Sequence, residues 1–273
     1  MSAEILLKNI RNNKSNKPEL VIKYGPSLLS SSSGNDYYML HEQIFIASLE
    51  LGLQSVGEKS LNVLKNKFPN SCRVSILIGM EDESKGNYDK ALELYNKLLI
   101  DNPGNIKVMQ RKVCVYKASC HLKNAIDEIH TILKYYPGDV STWQELSDIH
   151  LSLSDYKASA FCHEELVLLD ANCSSYHTHL ADIYYTIGDS EHILKARKHY
   201  TMSLALQNGQ SNFRALYGLI SACKYLSEEY SKSQNNNIND SDVNNELLKF
   251  GEEQIGLIKF ENENTKKIVI DSL

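Results

Sequence analysis

The sequence predicts an all-α fold, a solenoid of stacked helical hairpins, and three observations carry that prediction. Pro69, Pro103 and Pro137 stand 34 residues apart. The same step relates Gly57, Ala91, Ala125 and Ser159, all small, and Leu64, Leu98, Ile132 and Leu166, all large and apolar. Stretches such as "GNYDKALELYNKLLIDNPGN" (86–105) then read as amphipathic helices, each closed by a proline turn. Leu61, Tyr95, Ile129 and His163 make a further column in register, as do Tyr88, Leu122 and Tyr156.

Each column has a physical reason. A small residue early in the second helix of a hairpin lets the paired helices approach, which a bulky side chain would prevent. Residues four and seven positions later lie on the same face and fill the seam. Proline cannot continue the helix, so the chain turns into the next unit. Gly79, Ser147 and Ala181 repeat the small-residue logic in the first helices, whereas Phe45 and Val113 break it and predict local respacing. A 34-residue helix–turn–helix period is that of the tetratricopeptide repeat, whose hairpins wind into a right-handed superhelix. Trp143 holds the fourth position of its unit, where that repeat favours tryptophan.

Full units are expected at 38–71, 72–105, 106–139 and 140–173, with Ala171 where the next proline would stand. A fifth (174–208) regains register at Ala196 and Tyr200 after three extra residues near "GDSEHILK", and a degenerate sixth covers 209–230. Residues 1–37 are read as an N-terminal capping helix, interrupted at Gly25-Pro26, followed by a Ser-rich loop. The stretch 231–245, rich in Asn and poor in apolar residues, is expected to be a disordered linker. Residues 246–273 are then a C-terminal capping helix and tail, covering the apolar end that a solenoid exposes.

Composition narrows the function. The chain has 273 residues, 42% hydrophobic and 23% charged, with net charge −5. Nucleic-acid binders draw their affinity from a basic excess; without one, no nucleic acid is expected as a partner. The six cysteines form no CxxC pair, which fits buried free thiols in a reducing compartment. The start lacks an uninterrupted apolar core of a secretion signal. No window approaches the roughly 18 apolar residues of a membrane span, so a cytosolic protein that meets the membrane only through partners is expected.

Candidate chemistry is weak throughout. His177 and His179 are two apart and point to different faces of a helix, one partly buried and one solvated. Cys162, His163, Cys173 and His177 match no zinc spacing, and His163 sits in a packing column. His192 and His199 could share a face but lack a third ligand, while Cys114 and Cys120 read as a buried, unreactive pair. No phosphate loop or nucleophile elbow is present. The sequence therefore predicts no catalytic residue, no cofactor and no metal.

What remains is surface. Positions 2, 5, 9 and 12 of each first helix tend to face the inner groove. They give Met39, Glu42, Ile46 and Leu49, then Arg73, Ile76, Met80 and Glu83, then Lys107, Gln110, Cys114 and Lys117. The early groove is apolar, and Arg111 and Lys112 extend the cations of the third unit into a basic strip. Such a groove suits an extended or helical partner segment, although Ile46 and Met80 could equally pack against adjacent helices. Co-chaperones that grip C-terminal carboxylates on this fold need Lys and Asn where this chain has Glu42 and Ile46, so that use is disfavoured.

Three stretches add a more specific likeness. "HEQIFIASLELGLQSVGEKSLNVLKNKFPNSCRV", "GMEDESKGNYDKALELYNKLLIDNP" and "WQELSDIHLSLSDYKASAFCHEELVLLDAN" resemble the subunit 2 family of the endoplasmic-reticulum membrane protein complex. "RKHYTMSLAL" and "NFRALYGLISA" extend the resemblance, which covers about residues 37–225. It implies a non-catalytic scaffold on the cytoplasmic face of that membrane, supporting insertion of tail-anchored and weakly hydrophobic segments. The implied partners are membrane subunits 3 and 5 and a soluble subunit of the 8/9 type. A soluble peptide-binding adaptor or co-chaperone on the same solenoid is the alternative. Residues beyond 230 follow no family pattern.

Overall fold

A computed structural model describes residues 3–13, 15–207, 212–232 and 238–257. The described residues form helices and turns: α1 (Ala3–Asn12), α2 (Pro18–Leu28), α3 (Gly34–Glu50), α4 (Gln54–Lys67), α5 (Cys72–Ser84), α6 (Tyr88–Asp101) and α7 (Ile106–Ala118). There follow α8 (Leu122–Tyr135), α9 (Val140–Ser152), α10 (Tyr156–Leu169), α11 (Ser174–Ile187), α12 (Ser190–Leu206), α13 (Phe213–Lys232) and α14 (Ile238–Leu257). The fold is the all-α solenoid type that the sequence predicts. Two compact units, Met1–Ile132 and Leu133–Leu273, divide it.

In the first unit each helix from α1 to α7 packs on its neighbour in sequence. Gly79 lies under the ring of Tyr95, so that a Cβ there would overlap the phenol. Phe45, the residue that breaks the small column, is accommodated without a small residue of its own: Gly57 stands opposite, its would-be Cβ 3.6 Å from Phe45 Cδ2. The room comes from the partner helix. Tyr95, Ala91, Leu61, Ala125 and Ile129 are all essentially inaccessible. A polar stitch then ties successive hairpins. Tyr95 donates its O–H to Glu83 Oε1 at 2.5 Å, and Arg111 from α7 closes on the same carboxylate.

The N-terminal end departs from expectation. Two helices, not one interrupted helix, precede α3, and α2 runs through Gly25 and Pro26. Pro26 is tolerated near the helix C-terminus, where it removes a single hydrogen bond. Gly25 is needed for contact rather than for a break, since a Cβ there would stand 2.8 Å from Ile44 Cγ1. Leu7 and Ile10 of α1 join Val21, Leu40, Ile44 and Ala47 in one apolar cluster. The Ser-rich loop is correspondingly short, because α3 already begins at Gly34.

In the second unit α9 to α14 pack in the same serial way. Ser147 and Ser159, the two small residues of one hairpin, touch through their hydroxyls at 2.8 Å, and His163 Nδ1 meets Ser147 Oγ at 2.8 Å. Tyr200 repeats the stitch of Tyr95: its O–H donates to Asp182 Oδ1 at 2.7 Å, and Arg214 Nε lies 2.5 Å from Asp182 Oδ2.

The stretch expected to be a disordered linker, 231–245, is helical wherever it is described: α13 reaches Lys232 and α14 starts at Ile238. The remainder of that stretch, and 258–273 of the expected C-terminal cap, lie outside the described residues. The helix forms because its polar side chains serve a buried arginine. Arg197, only 4% exposed, donates to Asp240 Oδ1 at 2.6 Å and to Asn244 Oδ1 at 3.0 Å. Asn244 in turn donates to the Cys223 carbonyl and to Ser227 Oγ, both at 2.8 Å. A buried charge demands such partners, and low apolar content here reflects that demand.

The turns between paired helices hold a column that the sequence hides. Gly52, Gly86, Cys120, Ser154 and Gly188 all have positive φ, between 58° and 85°, and they follow one another at the repeat step. Glycine adopts this conformation freely, whereas Cys120 and Ser154 adopt it under strain.

Candidate docking surface

The residues expected to line a groove separate into four groups, all within the first unit. Met39, Glu42 and Ile46 on α3 and Arg73 on α5 line one cleft of about 440 Å³. Its other wall is the α1–α2 turn with Arg11, Lys17 and Pro18, which sequence reasoning missed. The spacing of Leu7 and Ile10 in "EILLKNI" was the available signal that a helix precedes that turn. At the rim, Arg73 grips Glu42 with two bonds, Nε to Oε1 at 2.9 Å and Nη2 to Oε2 at 2.8 Å. Glu42 is therefore neutralised by its own chain.

Leu49, Ile76 and Met80 serve the interior. Leu49 and Met80, together with part of Ile46, pack on the cluster of Phe45, Leu61, Leu64, Val74 and Leu77, while Ile76 packs on Ala91, Tyr95, Val108 and Val115. The packing alternative for Met80 thus holds, and Ile46 does both jobs.

The basic strip does not form. Arg111 is bound to Glu83, with Nε 3.1 Å from Oε1, and burial together with that carboxylate pushes the Tyr95 phenol well above its ordinary range. Lys112 is buried on the side facing α8, with Nζ 2.7 Å from Glu128 Oε2. Lys107, Gln110, Cys114 and Lys117 lie on one face of α7, with Lys107 and Cys114 exposed and Gln110 and Lys117 half-buried. Period alone could not reveal this, because the acids that neutralise the cations come from other helices.

The thiols are also placed differently from expectation. Cys162 and Cys223 are buried, and burial raises both thiols, Cys162 to about 12 and Cys223 to about 11. Cys72, Cys114 and Cys120 are exposed, so the supposed buried pair of Cys114 and Cys120 lies at the surface. Among the described residues, no two cysteines are joined in a disulfide. Cys114 is on the same face of α7 as Lys107, and Cys120 occupies the strained turn.

Two histidines of the second unit, His177 and His199, pair with each other. His177 is buried and His179 exposed. His177 Nδ1 lies 2.9 Å from His199 Nδ1, with the rings stacked at 27°, and His177 Nε2 lies 3.0 Å from the Ala171 carbonyl. A carbonyl only accepts, so His177 donates to it from Nε2. Burial, then the neighbouring His177, push the His199 imidazole down to about 4. Among the described residues, no group of three or more His, Cys, Asp or Glu converges as a metal site would require. Among them, too, no helix is long and apolar enough to cross a membrane.

Comparison with known proteins gives the surface a context. The family model described as the EMC2 TPR-like repeat domain matches residues 58–195. The chain is 34% identical over 216 residues to ER membrane protein complex subunit 2-A of Xenopus laevis, covering 78% of this chain and 72% of that protein. To ER membrane protein complex subunit 2 of Dictyostelium discoideum it is 28% identical, covering 82% and 74%. TPR repeat protein oca3 of Schizosaccharomyces pombe is 27% identical, with 71% and 69% covered. Among solved structures, Pseudomonas aeruginosa PilF superposes with a TM-score of 0.51 at 15% identity, over 86% of this chain and 97% of that one, a likeness of fold alone.

Proposed function

Because the chain belongs to the subunit 2 family of the ER membrane protein complex, we propose that it is a non-catalytic scaffold subunit of that complex. In this reading it sits on the cytoplasmic face of the endoplasmic-reticulum membrane without spanning it. It braces the cytosolic parts of membrane subunits 3 and 5 and a soluble subunit of the 8/9 type. Insertion of tail-anchored and weakly hydrophobic segments is then supported indirectly, by holding the inserting subunits in place. The observation that carries the proposal is the 34% identity over 216 residues to relatives that bear that name.

The geometry is consistent with a binding role. Serial hairpins present long faces rather than an enclosed reaction site, and the cleft at Met39 and Ile46 offers an apolar floor with a charged rim. That cleft also keeps the alternative in play, a soluble adaptor that takes a single peptide segment. Affinity purification from detergent-solubilised membranes separates the two. Membrane subunits recovered in constant ratio with the chain support the scaffold. Recovery of the chain with no membrane subunit contradicts it. Met39→Asp with Arg73→Glu tests the cleft in the same preparation. Both side chains are exposed, so helicity should persist while recovery of partners falls severalfold, and unchanged recovery would remove the cleft from the interface.

A further inference from the structure

The repeat supplies its own baseline for the outer face of a second helix. On α10, Phe161 and Leu168 stand two turns apart on the same side and are 53% and 77% exposed. At the position of Phe161 the other units carry Lys59, Glu93, Asp127 and, after the three-residue shift, Lys198. All four are charged. At the position of Leu168 they carry Asn66, Ile100, Lys134 and Ala205. The inward side of α10 is already filled by Ser159, Cys162, His163 and Leu166, all buried. Packing of the hairpin therefore does not demand an outward Phe161 and Leu168.

The surface around them is built. Trp143, the single tryptophan of the chain, meets Phe161 edge to face with ring centroids 6.1 Å apart. Its orientation is set by its indole N–H, which donates to the Pro137 carbonyl at 2.8 Å. Between the two apolar anchors lie Glu164 and Glu165, and Asp170 follows. From Ala158 to Asp170 the chain has no lysine or arginine. Tyr184 donates its O–H to Glu164, which holds that carboxylate in position.

We propose that this face of α10 docks a basic amphipathic helix of a partner protein. Anchors two turns apart match the spacing of one face of a ligand helix. A positioned tryptophan beside exposed apolar side chains is the composition of an interface centre. The intervening carboxylates favour a ligand with lysine or arginine flanking its apolar stripe, and they repel an anionic bilayer. The surface lies in the second unit and shares no residue with the cleft at Met39, so either can fail without the other.

The test uses the full chain and the double variant Phe161→Asp, Leu168→Lys. These are the residues that the third unit carries at the same positions, Asp127 and Lys134. The fold should survive, and net charge is unchanged. A tryptophan-free leucine–lysine amphipathic peptide is titrated while Trp143 emission and the anisotropy of labelled peptide are followed. Saturable binding that weakens about tenfold or more in the double variant supports the proposal, provided a leucine–glutamate peptide of the same pattern binds neither protein. Should the double variant unfold by circular dichroism, Leu168→Lys alone replaces it. Equal binding to both proteins, preference for the acidic peptide, or no saturable binding overturns the proposal. So does binding of phosphatidylserine vesicles through the same two residues, or a dimer of the chain that the double variant abolishes.

Discussion

At the residue scale, the clearest tension is at Cys120 and Ser154, which hold positive φ where Gly52, Gly86 and Gly188 relax into it. A non-glycine residue pays about 1–2 kcal/mol in that region, and glycine returns part of this by its freedom in the unfolded chain. Ser154→Gly and Cys120→Gly should therefore each stabilise the protein by about 0.5–1 kcal/mol. Urea denaturation would register the gain, and a loss for both variants would contradict the strain. The turn column was illegible in sequence because its residue type is not constant; only the conformation is. The small-residue and large-residue columns were legible because close helix contact constrains volume directly. Phe45 shows the limit of that reasoning, since the volume constraint is shared with Gly57 across the contact.

At the element scale, an apolar helical period is legible in the sequence, whereas a helix held by polar contacts is not. The first turns of α14 carry "INDSDVNN", which has little apolar content, yet Asp240 and Asn244 are what Arg197 requires. Pairing of that kind depends on residues 43 and 47 positions away, beyond any local pattern. Asp240→Asn removes the counter-charge while keeping a hydrogen-bonding group. A cost of about 1–3 kcal/mol is expected. Hydrogen exchange should rise across 238–257 before it rises across α11 and α12. Uniform exchange in both places would mean that the pair does not fasten α14. The same blind spot explains the missing basic strip, because Glu83 and Glu128 neutralise Arg111 and Lys112 from other helices.

At the scale of the whole molecule, buried imidazoles make stability depend on pH. Burial lowers His163 and His41, and His199 falls to about 4. A histidine whose folded value lies below its unfolded value of about 6.5 leaves the unfolded chain binding more protons between the two. Stability is therefore fully present above about pH 6.5 and is lost as pH falls toward 4. His199 alone should contribute a loss on the order of 2 kcal/mol between pH 7 and pH 5. His199→Phe, which can stack on His177 without titrating, should flatten that slope, and an unchanged slope would assign it elsewhere.

The proposed scaffold is a stack of helical hairpins held in an assembly. Gradient sedimentation of detergent-solubilised endoplasmic-reticulum membranes tests this most directly. A scaffold subunit should sediment with the membrane subunits, far ahead of its own 30.9 kDa. A chain that sediments alone at that mass, with the membrane subunits elsewhere in the gradient, would contradict it.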